Sequence, residues 1–136
     1  FDVQQEAVES TKALLAERNL TAQVVLDSHS HMDQYAQEGS VDCITFNFGY
    51  LPGGDHNVFT TPATSIPAIE QGLRLLKPNG LMSLCVYYGG DSGFEEKDAL
   101  MEYFRTIDSK QYTVLITEFA NRPNNPPIPV FILKRI

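Results

Sequence analysis

Residues 41–55 read VDCITFNFGYLPGGD, and this stretch decides the fold. The run 41–46 is short, largely apolar and rich in β-branched residues, and it is followed by Asn, Gly, Pro and Asp. That pattern predicts a buried strand that opens into a loop at its carboxyl end, where ligands bind in open α/β sheets. We expect Asn47 to orient a ligand by hydrogen bonding, Tyr50 to supply a stacking face and Asp55 to lie in the Gly-rich lip.

The rest of the chain alternates between helix and strand patterns. Apolar residues with helical spacing occupy 4–18, a segment from Thr64 or Ser65 to Leu76, and 94–108. Strand-like runs occupy 23–26, 41–46, 81–88, 112–119 and 129–136. Pro67 is predicted in the first turn of the second helix, and residues 77–80 should end that helix. The pattern predicts an α/β fold, with helices on both faces of a mostly parallel sheet.

The carboxyl-terminal part departs from this alternation. The Pro- and Asn-rich segment 121–127 joins the last two strand-like runs with no helix between them. A parallel crossover needs a dozen or more residues, so we expect these two strands to pair antiparallel.

Length and composition limit the classes of protein to which this chain can belong. A chain of 136 residues suits one domain over residues 1–136. The net charge of −7 argues against general nucleic-acid binding through phosphates. Cys43 and Cys85 lie in apolar runs, which predicts buried reduced thiols and a cytoplasmic protein. No apolar run approaches the length needed to span a membrane. The sequence pattern does not indicate an oligomeric state. We expect an amino-terminal portion before Phe1.

Several short motifs point to one family. They comprise Asp2 before a helix, LLKPNGL at 75–81, the loop 47–55, Thr60-Thr61, YYGG at 87–90, Glu95-Glu96, Asn121 and Pro126-Pro127. Together they resemble class I S-adenosylmethionine-dependent methyltransferases of the YtqB/MnmM type, a family named for rRNA methylases. The resemblance spans nearly the whole chain, and the loop is its most specific part.

The resemblance implies a Rossmann-like fold whose first strand and Gly-rich loop would precede Phe1. It also implies S-adenosyl-L-methionine as cofactor and RNA as partner, with N-methylation of the 5-aminomethyl group on wobble 2-thiouridine in tRNA. Asp2 would bind the cofactor ribose with help from Gln4. The other implied cofactor contacts are Asp27, Ser28 and His29 at the adenine, together with Asn47 and Phe48. Asn47 would also orient the substrate amine, and Tyr50 and Asp55 would complete the catalytic set.

Other interpretations stay open beside these. Asp2 could be a helix cap, residues 27–29 could cap a loop, and Asn47 could form a turn. The segment 27–33, DSHSHMD, also resembles metal-binding motifs of hydrolases. Metal binding would need further ligands, and His56 is the one remaining histidine, so we expect no metal. The alternative functions are a nucleotide-binding oxidoreductase and a non-catalytic interaction module.

Overall fold

The computed structural model describes residues 1–48 and 60–136, and only the backbone for 90–93. Three α-helices, one 3-10 helix and four strands follow one another in these residues. They are α1 (Gln5–Glu17), the 3-10 helix (His29–Gln34), β1 (Val41–Phe48), α2 (Pro62–Leu75), β2 (Leu76–Val86), α3 (Gly90–Thr106), β3 (Tyr112–Ile116) and β4 (Ile128–Lys134). The α/β class expected from the sequence is confirmed.

The four strands form one sheet in the order β1-β2-β4-β3. Strands β1 and β2 are parallel, and β4 is antiparallel to both β2 and β3. The predicted antiparallel pair is therefore present, and β4 lies between β2 and β3. Strands β1, β2 and β3 point the same way, so their last residues lie at the same end of the sheet. This end, where the strands finish at Phe48, Val86 and Ile116, is called the carboxyl edge below.

The segment 23–26 forms less sheet than its sequence predicts. In the described residues its pairing is a single parallel bridge between Asp2 and Leu26. The Asp2 amide donates to the Val25 carbonyl at 3.1 Å, and the Asp27 amide donates to the Asp2 carbonyl at 3.0 Å. Helix α1 begins at Gln5, and the 3-10 helix begins at His29. The extended pairing consequently stops at Asp2 and Asp27.

One face of the sheet carries the core. Alternate strand residues on this face are buried, because period-two alternation sends every second side chain to the same side. They pack with apolar residues of α2 and α3. The core residues are Ile44, Phe46, Phe48, Ala68, Ile69, Leu73, Met82, Leu84, Val86, Leu100, Phe104, Val130 and Ile132.

The opposite face of the sheet is more exposed in the described residues. Cys43 is exposed and Cys85 is half-buried, both with free thiols. The prediction that both thiols are buried is wrong for Cys43, because that side chain lies on the face opposite Ile44 and Phe46.

Helix α2 begins and ends earlier than predicted. Pro62 occupies its first position, where a missing N–H costs little, and the Thr64 hydroxyl accepts the Thr61 amide proton at 3.4 Å. Pro67 lies inside the helix rather than in its first turn. Residues 77–80 belong to β2 and do not end the helix, since Leu76 is already extended and fully buried as the strand begins.

Helix α3 also begins earlier, at Gly90 rather than at Phe94. Within the described part of the chain, no helix combines the length and the apolar character needed to cross a bilayer.

Candidate functional site

Three segments expected to bind a ligand lie close together near the carboxyl edge. The Asp2 backbone pairs with the segment that ends at Asp27. Two residues further on, the His29 ring packs edge-on against Phe46 and Phe48, with centroid distances of 5.7 and 5.5 Å. The residues that follow the Asp2–Leu26 bridge therefore contact the end of β1.

Asp2 lies at the entry to helix α1. Its Oδ1 atom accepts the Gln4 amide proton at 2.9 Å, and Gln4 is the residue that precedes the helix. The Asp2 carboxylate therefore helps to cap helix α1, which is the alternative role that the sequence left open for it. A carboxylate offers about four acceptor positions, so one such bond leaves capacity for two ribose hydroxyls.

Asp27 holds the turn that follows it. Its Oδ1 accepts the Ser28 amide proton at 2.7 Å and lies 2.7 Å from His31 Nδ1, while its Oδ2 accepts the Tyr35 hydroxyl proton at 2.9 Å. The bonds from His31, Tyr35 and Ser28 hold the pKa of Asp27 below its ordinary value. The Asp27 carboxylate thus caps its own loop.

His31 and Tyr35 were missed as partners of Asp27. The signal available was the spacing of four residues between Asp27 and His31. Ser28 strengthens the same turn, because its hydroxyl accepts the Ser30 amide proton at 3.2 Å. The amide of Gln71 on α2 donates to the Ser30 carbonyl, which fastens this turn to the helix.

His29 is more buried than its polar sequence context predicts. Burial lowers the pKa of His29, and the nearby Asp2 carboxylate acts in the opposite direction. The neutral imidazole is favoured, so the ring is suited to hydrogen bonding and to packing. In residues 1–48 and 60–136 no group of three His, Cys, Asp or Glu side chains is arranged to hold a metal.

Asn47 and Phe48 point to opposite faces at the end of β1. Asn47 is exposed and is in register with Cys85 of β2. Phe48 is fully buried, and its ring stacks on Phe46 at 5.1 Å. A cofactor could therefore contact the backbone of Phe48 but not its ring. Tyr50 and Asp55 lie outside the described residues.

A buried acidic residue near this edge was not singled out from the sequence. Glu96 on α3 is 4% exposed. Its two carboxylate oxygens accept the Thr60 hydroxyl proton at 2.8 Å and the Ser65 hydroxyl proton at 3.0 Å. Burial raises the pKa of Glu96, and the two hydrogen bonds oppose that shift. Thr60 and Glu96 belong to the quoted family motifs, but their spacing of 36 residues gave no sign of contact.

Comparison with known proteins places these features in a family. Residues 1–133 match the family model described as "Putative rRNA methylase". An Arabidopsis thaliana protein named tRNA (mnm(5)s(2)U34)-methyltransferase, chloroplastic, is 33% identical over 141 residues, which cover 99% of this chain and 51% of the relative. The chain thus spans about half the length of that curated relative.

Solved structures agree with this family match. A "putative rRNA-methylase" from Clostridium thermocellum has a TM-score of 0.94 at 40% identity, over 98% of this chain and 73% of that one. A "putative methyltransferase" from Streptococcus mutans, solved in complex with SAH, has a TM-score of 0.89 at 36% identity, with the same shares of each chain covered. These relatives support the Rossmann-like class I fold expected from the sequence.

Proposed function

We propose that this chain, which belongs to the rRNA methylase family, acts as an S-adenosylmethionine-dependent N-methyltransferase on RNA. The observation that carries the proposal is the series of contacts that runs from Asp2 through the segment ending at Asp27 to the end of β1. The Asp2 carboxylate and the polar turn 27–29 lie near the end of β1, and Asn47 is exposed at that strand end on the face opposite Phe48. That arrangement fits an adenosine cofactor beside a polar substrate group.

Each of these side chains would have a distinct task. Asp2 would accept the ribose hydroxyls, with Gln4 beside it, and Ser28 and His29 would contact the adenine. The bound cofactor supplies a methyl group on a sulfonium. Asn47 is exposed at the strand end, and its amide oxygen would accept a hydrogen bond from an N–H of the substrate amine and so orient the nitrogen lone pair. Holding the reacting atoms in line can itself supply several kcal/mol of the rate enhancement.

The nucleophile must be a neutral amine, because an alkylammonium has no lone pair to donate. A proton therefore has to leave the substrate before methyl transfer. We propose that the Tyr50 ring borders the substrate base or stacks on it. Asp55 is proposed as a further catalytic residue. The proton acceptor is Asp55, His56 or water.

The specific substrate we propose is the 5-aminomethyl group of wobble 2-thiouridine in tRNA. The support is the name of the plant relative, which is 33% identical over nearly the whole of this chain. We further propose a cytoplasmic location, with tRNA as the partner.

The test separates cofactor binding from methyl transfer, in protein expressed from its complete gene. Asp2→Ala should weaken the binding free energy of S-adenosylmethionine, measured by calorimetry, by about 1.5–3 kcal/mol, because charge-assisted ribose bonds are lost. Asn47→Ala should keep cofactor binding and lose transfer to tRNA carrying 5-aminomethyl-2-thiouridine. A contact made mainly in the transition state lowers kcat and kcat/KM together.

Four outcomes would contradict the proposal. Full transfer by Asn47→Ala, or cofactor binding untouched by Asp2→Ala, would mean that these residues only cap turns. Binding of a nicotinamide dinucleotide in place of S-adenosylmethionine would favour the oxidoreductase. Binding of neither cofactor would favour an interaction module.

A further inference from the structure

The carboxyl edge carries exposed aromatic side chains that the proposed chemistry does not use. Tyr87 directly follows β2, and its amide donates to the Phe48 carbonyl at 3.2 Å, which places it beside the end of β1. Tyr87 is 50% exposed, and Phe94, near the start of α3, is 44% exposed. Tyr87 thus lies beside the end of β1, and Phe94 lies in the helix that follows β2.

A third ring, Tyr88, and the cation of Lys97 lie on one side of Phe94. The Tyr88 ring meets Phe94 edge-on, with centroids 5.5 Å apart. On the same ring, Lys97 Nζ lies 5.1 Å from the centroid, and Lys97 also pairs with Asp98 at 3.1 Å. Edge-on aromatic pairs and cation–π contacts each add specific attraction. Phe94 is therefore held from one side while much of its ring remains exposed.

We propose that the exposed rings of Tyr87 and Phe94, together called the stacking surface, each stack on unpaired bases of the RNA substrate that flank the target nucleotide. This inference rests on the proposed function and names how the same site recognises its substrate. Single-stranded RNA is commonly bound by stacking splayed bases on exposed aromatic rings.

The charge of the chain favours stacking over phosphate binding. The chain has 10 Lys and Arg against 17 Asp and Glu, and Lys97 is already paired with Asp98. Few cations are thus available to neutralise a phosphate backbone, so contacts with the base faces must contribute much of the RNA affinity. A target nucleotide in a loop also offers unstacked neighbours, which paired RNA does not.

The probe is an RNA hairpin whose loop carries 2-aminopurine beside the target uridine. Stacking on a ring quenches its fluorescence, so titration with the protein reports both affinity and stacking. Tyr87→Ala and Phe94→Ala should each weaken binding by about 5- to 100-fold and reduce the quench. Tyr87→Phe and Phe94→Tyr keep a ring and should stay close to wild type. Leu20→Ala is the control, since Leu20 is an exposed apolar residue beyond the far end of α1.

Separate readouts distinguish stacking from loss of structure. Calorimetric binding of SAH should be unchanged in all five variants, and the melting temperature should be unchanged in the two ring-keeping variants and in Leu20→Ala. In methyl transfer, the two alanine variants should raise KM for tRNA while kcat at saturating tRNA changes little.

Unchanged hairpin affinity in both alanine variants would overturn the inference. So would an equal loss in the ring-keeping variants, a parallel loss of SAH binding, or no quench by the wild-type protein. Because hairpin binding needs no turnover, ring-dependent quenching without any methylation of tRNA would reject the proposed function and keep the stacking surface.

Discussion

At the scale of single residues, Glu96 is the group whose role depends most on its surroundings. Its carboxylate joins α3 to the hydroxyls of Thr60 and Ser65, and Ser65 is fully buried. Thr60 is where the described chain resumes after segment 49–59. Glu96 thus holds Thr60, the first residue described after Phe48.

Replacing Glu96 should separate hydrogen bonding from charge. Glu96→Ala leaves the Ser65 hydroxyl without its acceptor and opens a cavity, so we expect a loss of about 2–4 kcal/mol in the free energy of unfolding. Glu96→Gln should cost less than about 1 kcal/mol, because hydroxyls can donate and accept. Chemical denaturation at pH 7 measures both values. Equal losses in the two variants would mean that the charge itself is needed.

The same carboxyl gives a pH dependence with a definite sign. Burial raises the pKa of Glu96 above its ordinary value of 4.5, so the folded state holds this proton more tightly than the unfolded state. The contribution of Glu96 to stability is then greatest below pH 4.5, falls as the pH rises towards the raised pKa, and stays constant above it. Wild type should therefore lose stability relative to Glu96→Gln as the pH rises through that window. A difference that is flat with pH would exclude the raised pKa.

At the scale of elements, the carboxyl end of α2 is capped by a strand distant in sequence. Lys134 on β4 donates from Nζ to the carbonyls of Leu73 at 2.9 Å and Leu76 at 2.8 Å. The Tyr112 hydroxyl on β3 donates to the same Leu73 carbonyl at 3.3 Å. These bonds satisfy carbonyls that a helix end leaves unpaired, and they place a cation at the negative end of the helix dipole.

Removing the ammonium group of Lys134 should weaken the attachment of α2 to the sheet. Lys134→Met keeps the length of the side chain and should cost about 1–2 kcal/mol in stability. Lys12→Met removes a lysine that is exposed on α1, and it should be close to neutral. Thermal and denaturant unfolding of both variants make the comparison. Similar small effects in both would show that water replaces the ammonium without cost.

Two glycines provide a matched test of close packing between elements. A Cβ on Gly80 would lie 2.8 Å from the Lys77 carbonyl oxygen and 3.2 Å from the Asp42 carbonyl oxygen, which are backbone atoms. A Cβ on Gly72 would lie 2.6 Å from Met82 Cε, the end of a flexible side chain. Gly80→Ala should therefore cost about 1–3 kcal/mol.

Gly72→Ala should cost less, since Met82 can move and alanine gains up to about 1 kcal/mol of helix propensity. Denaturant unfolding of the two variants ranks them directly. The reverse order would mean that the irregular start of β2 adapts more readily than the core beneath α2.

At the scale of the whole molecule, net acidity limits how the proposed RNA substrate can be bound. Binding driven by counterion release needs many phosphate contacts and weakens steeply with salt. This chain carries 10 Lys and Arg for a net charge of −7, and several of these cations pair with acidic groups or carbonyls.

Affinity for a loop RNA should thus fall by less than about tenfold between 50 and 200 mM salt, as expected for one or two phosphate contacts. Fluorescence titration across that range gives the slope. A fall in affinity of about a thousandfold would indicate a basic surface that makes six or more phosphate contacts.

Periodicity and short motifs in the sequence determined the α/β class, the antiparallel final pair and the family. These features are local: the two-residue repeat of β1 and the helical repeat of α2 are visible in any short window. The family resemblance also singled out Asp2, the turn 27–29 and Asn47, and the last two of these follow strand-like runs.

Only the tertiary structure decided how distant segments meet. It turned the His29 ring onto Phe46 and Phe48, exposed Cys43, reduced the predicted strand 23–26 to one bridge, and joined Glu96 to Thr60. It also moved the start of α2 to Pro62 and placed Lys134 at the end of that helix. The physical reason is that burial and hydrogen-bond partners are set by chain segments 15 to 60 residues apart, whereas sequence patterns report only the preferences of neighbours.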